Sequence, residues 1–250
     1  MKTRIIAKLD VKPPYVVKPI HFEGLKKIGL PIEIANKYYE QGADELFYID
    51  IVASLYRRNI ILDAIEGVAN KLYIPYAAGG GIRNIEDITK LIHAGSDKVI
   101  LNTFALQEGP SLIDSAAKIF GNQAVVINIE AKKNGDKWVC YSDCGRIPTS
   151  VDVVSWAKEV ENRGAGEILL QSVDNDGKQE GFDIDLAKSV VSSVNIPVVI
   201  ASGAGNLDHI KSLIKSVNPS GIAIASLLHF QKTTIKEIKN YLSESKVGGY

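Results

Sequence analysis

The sequence has few of the residues that mark specialised classes of protein. Of its 250 residues, two are cysteine and one is methionine, which excludes a disulfide-stapled secreted scaffold. No uninterrupted apolar run reaches the ~18 residues of a spanning helix. The N-terminal stretch MKTRIIAKLDVK lacks the apolar region and cleavage site of a secretory signal. We therefore predict a cytoplasmic protein with no membrane partner.

An excess of charge of one sign is also missing. The chain carries 29 Lys and Arg against 29 Asp and Glu, so its formal net charge is zero, and we expect no nucleic-acid partner. Cys140 and Cys144 form a C-x3-C pair with no nearby His, which is a poor zinc site because tetrahedral zinc needs four ligands. We predict two free thiols in a surface loop, and neither a metal nor a cofactor.

Short apolar runs alternate with amphipathic segments along the whole chain. Eight such pairs in about 250 residues favour an α/β fold, a single (β/α)8 TIM barrel, over the alternative of a doubly wound open sheet. A capping-box pattern, Thr234 to Glu237, opens the last predicted helix. Strands are predicted at residues 4–10, 45–50, 73–78, 97–101, 124–130, 167–172, 197–201 and 220–225. Helices are predicted at residues 31–41, 58–70, 84–94, 110–120, 150–163, 183–194, 206–216 and 234–244.

The sequence repeats itself once. IPYAAGGGIRNIEDI (74–88) aligns with IPVVIASGAGNLDHI (196–210), and GADEL (42–46) aligns with GAGEI (164–168), both at an offset of 122 residues. RIIAKLDVK, from residue 4, aligns with AVVINIEAKK, from residue 124, at an offset of 120 residues. Landmarks in the same order predict two half-barrels, at about residues 1–122 and 123–250, within one barrel domain.

Two predicted strands end in an acid at matching places in the repeat, Asp10 and Glu130. The chemistry of a (β/α)8 barrel lies at the C-terminal ends of its strands. Two acids facing each other across that mouth can act as general acid and general base. The alternative is that each caps a helix or pairs with a nearby lysine, Lys12 or Lys132.

Two glycine stretches follow matching strands, AGGGIRN (78–84) and ASGAGN (201–206). Backbone N–H groups at such loop-to-helix junctions bind phosphate. Their symmetric placement predicts two phosphate sites and a bisphosphorylated small-molecule substrate that spans the mouth. The residues assigned to the first site are Gly80, Gly81, Asn102 and Thr103, and those assigned to the second are Ser202, Gly203, Ala225 and Ser226.

Further polar residues lie at other strand ends. At the C-terminal ends these are Lys18, Asp50, Asp176 and Gly177; Lys18 is either a phosphate clamp or, as the residues alone favour, a solvated lysine. Charges also stand at the opposite ends of four strands, which we call the basal ring: Arg4, Glu45, Lys98 and Glu167. Read alone, they favour ordinary solvated charges, since surface ion pairs are common and weak.

The motifs RIIAKLDVK, GADELFYIDI, GGGIRN, AGSDKVILNT, GAGEILLQSVDNDG and ASGAGN together resemble the cyclase subunit of imidazole glycerol phosphate synthase, over nearly the whole chain. The resemblance implies a (β/α)8 barrel of histidine biosynthesis that forms a heterodimer with a glutaminase. In that family, ammonia from the glutaminase enters at the bottom of the barrel and reaches the mouth. The resemblance implies that it there cleaves a bisphosphorylated aminoimidazole carboxamide ribonucleotide and closes the imidazole ring.

The resemblance also implies residue roles. Asp10 matches one catalytic carboxylate, and Glu130 stands where the family has an Asp. Lys18 matches a substrate-loop lysine, and Asp97 matches an acid that faces the partner. The basal ring matches residues that guard the admission of ammonia, which reverses the reading of them as solvated charges.

The chain departs from the family at several of these places. Lys8 replaces a usual Cys, and since residues i and i+2 of a strand share a face, we expect its ammonium beneath Asp10, holding it ionised. Gln171, taken as a substrate-site residue, replaces a Thr. The departures resemble those of related proteins from surface-polysaccharide clusters, which implies an alternative function: an ammonia-channelling subunit of a sugar amidotransferase system. A bisphosphate-binding sugar isomerase is a third, weaker alternative.

Overall fold

The computed structural model describes residues 2–20, 23–57 and 62–250. The strands of these residues are β1 (Arg4–Lys12), β2 (Tyr15–Ile20), β3 (Glu23–Gly29), β4 (Glu45–Asp50), β5 (Tyr76–Gly79), β6 (Lys98–Leu101), β7 (Val125–Asn134), β8 (Lys137–Ser142), β9 (Ile147–Asp152), β10 (Glu167–Ser172), β11 (Val198–Ala201) and β12 (Gly221–Ile224). The helices are α1 (Pro31–Glu40), α2 (Leu62–Ala69), α3 (Ile85–His93), α4 (Thr103–Gln107), α5 (Ser111–Phe120), α6 (Val153–Asn162), α7 (Ile184–Val191), α8 (Leu207–Val217), α9 (Ser226–His229) and α10 (Ile235–Glu244).

Eight parallel strands close into a barrel. Around the barrel they follow the order β1, β4, β5, β6, β7, β10, β11 and β12. The sheet closes because β12 pairs with β1, with Arg4 opposite Gly221, and β10 pairs with β7. Closure confirms the predicted (β/α)8 barrel and rules out the open sheet.

Alternate side chains of each barrel strand face the interior, as the period of two requires. The interior cluster is apolar and includes Ile6, Phe47, Ile100, Val126 and Leu169. The other face of each strand packs under the helices in a second, larger cluster. Because both faces are buried, the strands read as near-continuous Ile, Val and Leu runs, typical of parallel sheets. Largely apolar side chains therefore separate the two ends of the barrel.

Each half of the chain carries the same additions to four βα units. A hairpin, β2–β3, follows β1, and a second hairpin, β8–β9, follows β7. A short helix follows the fourth barrel strand of each half, α4 after β6 and α9 after β12. This parallel order supports the predicted division near residue 122, which stays a prediction.

The sequence predictions missed both hairpins and both short helices. The strands β8 and β9 are only partly buried and mix polar with apolar residues, so they lack the long apolar runs that identified the barrel strands. Several predicted bounds were also wrong. The predicted strand 73–78 begins at Tyr76, because Tyr73 is 86% exposed. The predicted helix 150–163 begins at Val153, where the Asp152 carboxylate accepts the Ser155 N–H.

Two further predictions have mixed outcomes. The capping box of α10 is present, with Thr234 and Glu237 exchanging hydrogen bonds, whereas the first residues of the predicted helix 58–70, residues 58–61, lie outside the described residues.

Cys140 and Cys144 are free thiols, but the surface-loop prediction was wrong for Cys140, which is fully buried in β8. No helix in the described ranges is both long and apolar enough to cross a membrane.

Candidate active site at the barrel mouth

Asp10 and Glu130 lie on opposite sides of the barrel mouth. Asp10 is near the C-terminal end of β1 and Glu130 is on β7, four strands away around the barrel. Both side chains are buried, with 0% and 3% of their surface exposed. Buried carboxylates without strong partners would be costly, so their partners decide their protonation.

Asp10 is held by two ammonium groups. Lys8 Nζ lies 2.5 Å from Oδ1 of Asp10, and Lys18 Nζ lies 3.7 Å from Oδ2. Burial acts to raise the pKa of Asp10, but the charges of Lys8 and Lys18 and the Lys8 hydrogen bond outweigh it, so the pKa lies below its usual range. The contact with Lys8 confirms the expectation from the sequence. Lys18, which the residues alone favoured as a solvated lysine, is instead buried.

Glu130 has neutral partners. Its Oε2 accepts the Gly145 N–H at 2.7 Å, and its Oε1 accepts the Asn128 amide at 3.3 Å. Burial is the main influence and raises the pKa of Glu130 to about 7, although the bonds from Gly145 and Asn102 oppose the rise. The mouth therefore holds one ionised acid and one acid that is partly protonated near neutral pH, which is the separation that acid–base chemistry needs.

The first predicted phosphate site opens into a cavity of about 540 Å³. Gly80 has a φ of 121°, and a Cβ there would lie 2.5 Å from the Asp50 carbonyl oxygen, so only glycine fits. Thr103 begins α4, and its Oγ1 accepts the Asp143 N–H at 3.0 Å. Of the residues predicted for the site, this cavity brings together Asp10, Asp50, Gly80, Gly81, Asn102, Thr103, Glu130 and Gln171.

The second predicted site is almost filled. Its cavity measures about 20 Å³, because Lys18 forms a buried ion pair with Asp176 at 3.0 Å inside it. Gly203 has a φ of 105° and packs so closely on the Gly181 carbonyl that a side chain would not fit. The predicted residues that line this cavity are Lys18, Gln171, Asp176, Gly177, Ser202, Gly203, Ala225 and Ser226.

The basal ring is a closed set of ion pairs. Arg4 contacts both Glu45 and Glu167, and Lys98 Nζ lies 2.7 Å from Glu45 and 2.8 Å from Glu167. Both carboxylates are almost fully buried, so these are not ordinary solvated charges. Asp97 is exposed beside the ring, and its Oδ2 accepts the Tyr76 N–H at 2.8 Å.

Sequence reasoning missed the turn at residues 143–145. Asp143, Cys144 and Gly145 have φ values of 49°, 58° and 69°, a run of left-handed residues that is rare outside glycine. The turn reaches across the mouth, bonding to Thr103 and Glu130 and placing the Cys144 thiol 2.6 Å from the Ile51 carbonyl oxygen. Gly145 was the only sequence signal for it.

Two arginines, Arg57 and Arg83, also line the first cavity, and neither was predicted as a site residue. Their charges favour an anionic ligand there. No group of three or more His, Cys, Asp or Glu side chains within the part of the chain that the structure describes is placed to hold a metal ion.

The fold and the mouth define an enzyme of the (β/α)8-barrel class, with an acid pair facing across the barrel mouth and glycine loops on both sides. A sequence model of the family described as histidine biosynthesis protein matches residues 4–234. The chain belongs to this family.

Curated relatives match almost end to end. Imidazole glycerol phosphate synthase subunit HisF of Thermococcus onnurineus is 46% identical over 244 residues, which are 98% of this chain and 96% of the relative. The same-named subunits of Campylobacter concisus and Pyrococcus furiosus are 48% and 44% identical over the same shares. These names describe a subunit, so the relatives are parts of larger assemblies.

Proposed function

We propose that this chain is the cyclase subunit of an imidazole glycerol phosphate synthase. With ammonia it converts a bisphosphorylated aminoimidazole carboxamide ribonucleotide to imidazole glycerol phosphate and aminoimidazole carboxamide ribotide. Family membership and the curated relatives support the activity. The observation that carries the chemistry is the acid pair, Asp10 ionised and Glu130 poised near neutrality, between two glycine loops.

The two acids have complementary tasks. Ammonia that adds to a substrate carbon becomes a cationic nitrogen, which must lose a proton before the new C–N bond is secure. The nitrogen that leaves with the ribotide must gain a proton as its own bond to carbon breaks. Asp10, held ionised by Lys8, takes the first proton, and Glu130 gives the second. The strands end in acids because the reacting carbon lies over the barrel axis between them.

The glycine loops bind and orient the substrate. One phosphate binds at Gly80–Gly81 and the N-terminus of α4, with Arg57 and Arg83 at the rim. The other binds at Gly203 and Ser226, where Lys18 supplies the counter-charge once it exchanges Asp176 for phosphate. Two anchored ends fix the reacting centre over the acids, and such positioning supplies a large part of catalysis.

Ammonia reaches the mouth through the barrel. The basal ring is the charged layer at the bottom of this route, and above it lies the largely apolar interior of Ile6, Phe47 and Leu169, where the Lys8 ammonium is paired with Asp10. Neutral ammonia crosses apolar surroundings far more readily than ammonium, which must be desolvated. A glutaminase that docks on the N-terminal face would deliver ammonia directly to the ring, so we propose a cytoplasmic heterodimer.

The test is turnover without a partner. With excess ammonium salt at alkaline pH, the wild-type chain should consume the aminoimidazole substrate. The absorbance of the substrate measures this loss. Asp10→Asn should abolish turnover while substrate affinity stays nearly the same, because the phosphate contacts dominate binding. The matched control is Asp136→Asn, which makes the same change at an exposed hairpin turn and should leave the rate unchanged. A wild-type chain that binds the substrate and never converts it would overturn the cyclase function in favour of the sugar-amidation alternative.

A further inference from the structure

The residue two positions before each acid differs between the two halves of the barrel. Lys8 precedes Asp10 and Asn128 precedes Glu130, so each shares the inward face of its strand with the acid above it. Both residues are buried, and each has 3% of its surface exposed. The two halves thus place a cation under one carboxylate and a neutral amide under the other.

Lys8 makes the stronger contact, since its ammonium lies 2.5 Å from Asp10. The other charged groups around this pair belong to different elements. Lys18 of β2 lies 3.7 Å from Asp10. Asp176, which follows β10, and Glu130 act on Lys8 through space, and His229 of α9 acts on Asp10. Asp50 lines the same mouth.

Asn128 belongs to a neutral network. Its amide nitrogen donates to Glu130 at 3.3 Å, and its oxygen accepts the Gln171 amide at 2.8 Å. Gly145 donates to the other oxygen of Glu130, and the Asn102 side chain also bonds to this carboxyl group. These neutral groups orient the carboxyl group without adding charge, so burial continues to favour its protonated form.

We propose that Lys8 and Asn128 are positioning residues that assign opposite roles to the two acids, making Asp10 the base and Glu130 the acid. The proposal rests on the proposed function and deepens it. A barrel whose halves repeat presents two similar acids to the substrate, and a difference in the layer beneath them gives the reaction a direction. The network of Gln171 and Asn128 holds that difference in place, because it orients the amide toward Glu130.

The test moves the cation from one half to the other. The variants are Lys8→Met, Asn128→Lys and the exchange Lys8→Asn/Asn128→Lys. Carboxyl carbons of labelled Asp and Glu are titrated by ¹³C NMR, with the two signals identified from Asp10→Asn and Glu130→Gln. Lys12→Met is the matched control, since it removes an exposed lysine of the same strand and should move neither signal.

In the wild type, the Asp10 carboxyl should stay ionised over pH 5 to 8 while Glu130 titrates near neutrality. Lys8→Met should raise the pKa of Asp10, and Asn128→Lys should lower that of Glu130, each by roughly 1 to 3 units. The exchange should reverse their order. In turnover, the limbs of the pH profile of kcat/KM should move by the same amounts, whereas a purely structural role would lower the rate without moving them.

The proposal is overturned if Asn128→Lys leaves the pKa of Glu130 unchanged and Lys8→Met leaves the pKa of Asp10 unchanged. If Lys8→Met does not fold, Lys8→Gln takes its place in this test. Lys8→Arg, which keeps the charge, should restore the wild-type titration. Absence of wild-type turnover would overturn the proposed function and with it the roles of base and acid, whereas unmoved titrations beside normal turnover would overturn only the part assigned to Lys8 and Asn128.

Discussion

The ammonium of Lys18 lies 3.0 Å from Oδ1 of Asp176, and both side chains are buried. Lys18 belongs to the β2–β3 hairpin, and Asp176 follows β10 on the far side of the mouth. The ion pair therefore fastens the hairpin across the second glycine loop. Under the proposed function, phosphate binding at this loop requires the pair to separate.

Breaking the pair from one side should be costly. Lys18→Met and Asp176→Asn should each lower the free energy of unfolding, by roughly 3 kcal/mol, because each removes one side of a buried ion pair. The double variant should lose less than the sum, by about 0.5 to 3 kcal/mol. Urea unfolding of the four proteins measures this coupling. Strictly additive losses would show that the two side chains do not interact in solution.

The two phosphate loops should both bind anions, but unequally. Crystals soaked in phosphate should show an anion at Gly80–Gly81 with Thr103 at low concentration, since that cavity is open. The loop at Gly203 should fill at higher concentration, because phosphate must displace Asp176 from Lys18. Asp176→Asn should bring the phosphate concentrations at which the two loops fill closer together, because it removes the charge that competes with phosphate for Lys18. Empty loops on both sides at high phosphate would contradict the bisphosphate assignment.

Stability should depend on pH through Glu130. Its pKa is raised by burial to about 7 in the folded chain, against about 4.3 in an unfolded chain, so the folded state binds more protons between these values. Stability contributed by this group is therefore lost as pH rises from about 4.5 to 7. Glu130→Gln removes this dependence, so its stability relative to the wild type should rise over that range by on the order of 1 to 3 kcal/mol. A pH-independent difference in denaturant midpoints would place the pKa of Glu130 in its ordinary range.

The barrel was predictable because each of its strands is buried on both faces and its sequence repeats, so eight apolar runs and their landmarks stand out. The ion pair beneath Asp10 was predictable too, since Lys8 and Asp10 share a strand face. Residues whose contacts depend on distant segments were not. The turn at Cys144 is left-handed because bonds to Thr103, Glu130 and Ile51 hold it there, and no local sequence pattern carries that information.

A strained residue lies in the second glycine loop. Ser202 has a φ of 74°, a conformation that costs a non-glycine residue roughly 1 to 2 kcal/mol. Its hydroxyl lies 3.5 Å from Asp176, too long for a strong bond. Ser202→Gly should therefore raise the free energy of unfolding by up to about 1 kcal/mol, less than the strain because glycine also gains freedom in the unfolded chain. Thermal unfolding measures this gain in stability. The control is Ser193→Gly, which should lose stability because Ser193 is not among the residues with a positive φ. A loss at Ser202 as well would show that its hydroxyl contact outweighs the strain.

The exposed Asp97 should govern docking of the glutaminase. It stands beside the basal ring on the N-terminal face, so a partner that seals the ring must cover it. Asp97→Lys should weaken association with the cognate glutaminase at least about tenfold, since like charges facing each other across an interface are costly. Asp97→Asn, which keeps an acceptor for the Tyr76 N–H, should have a smaller effect, separating charge from local structure. Glu180→Lys makes the same charge reversal in the segment after β10, at the mouth end, and should leave the affinity measured by calorimetry unchanged. Equal losses from Asp97→Lys and Glu180→Lys would mean that net charge, and not this face, controls association.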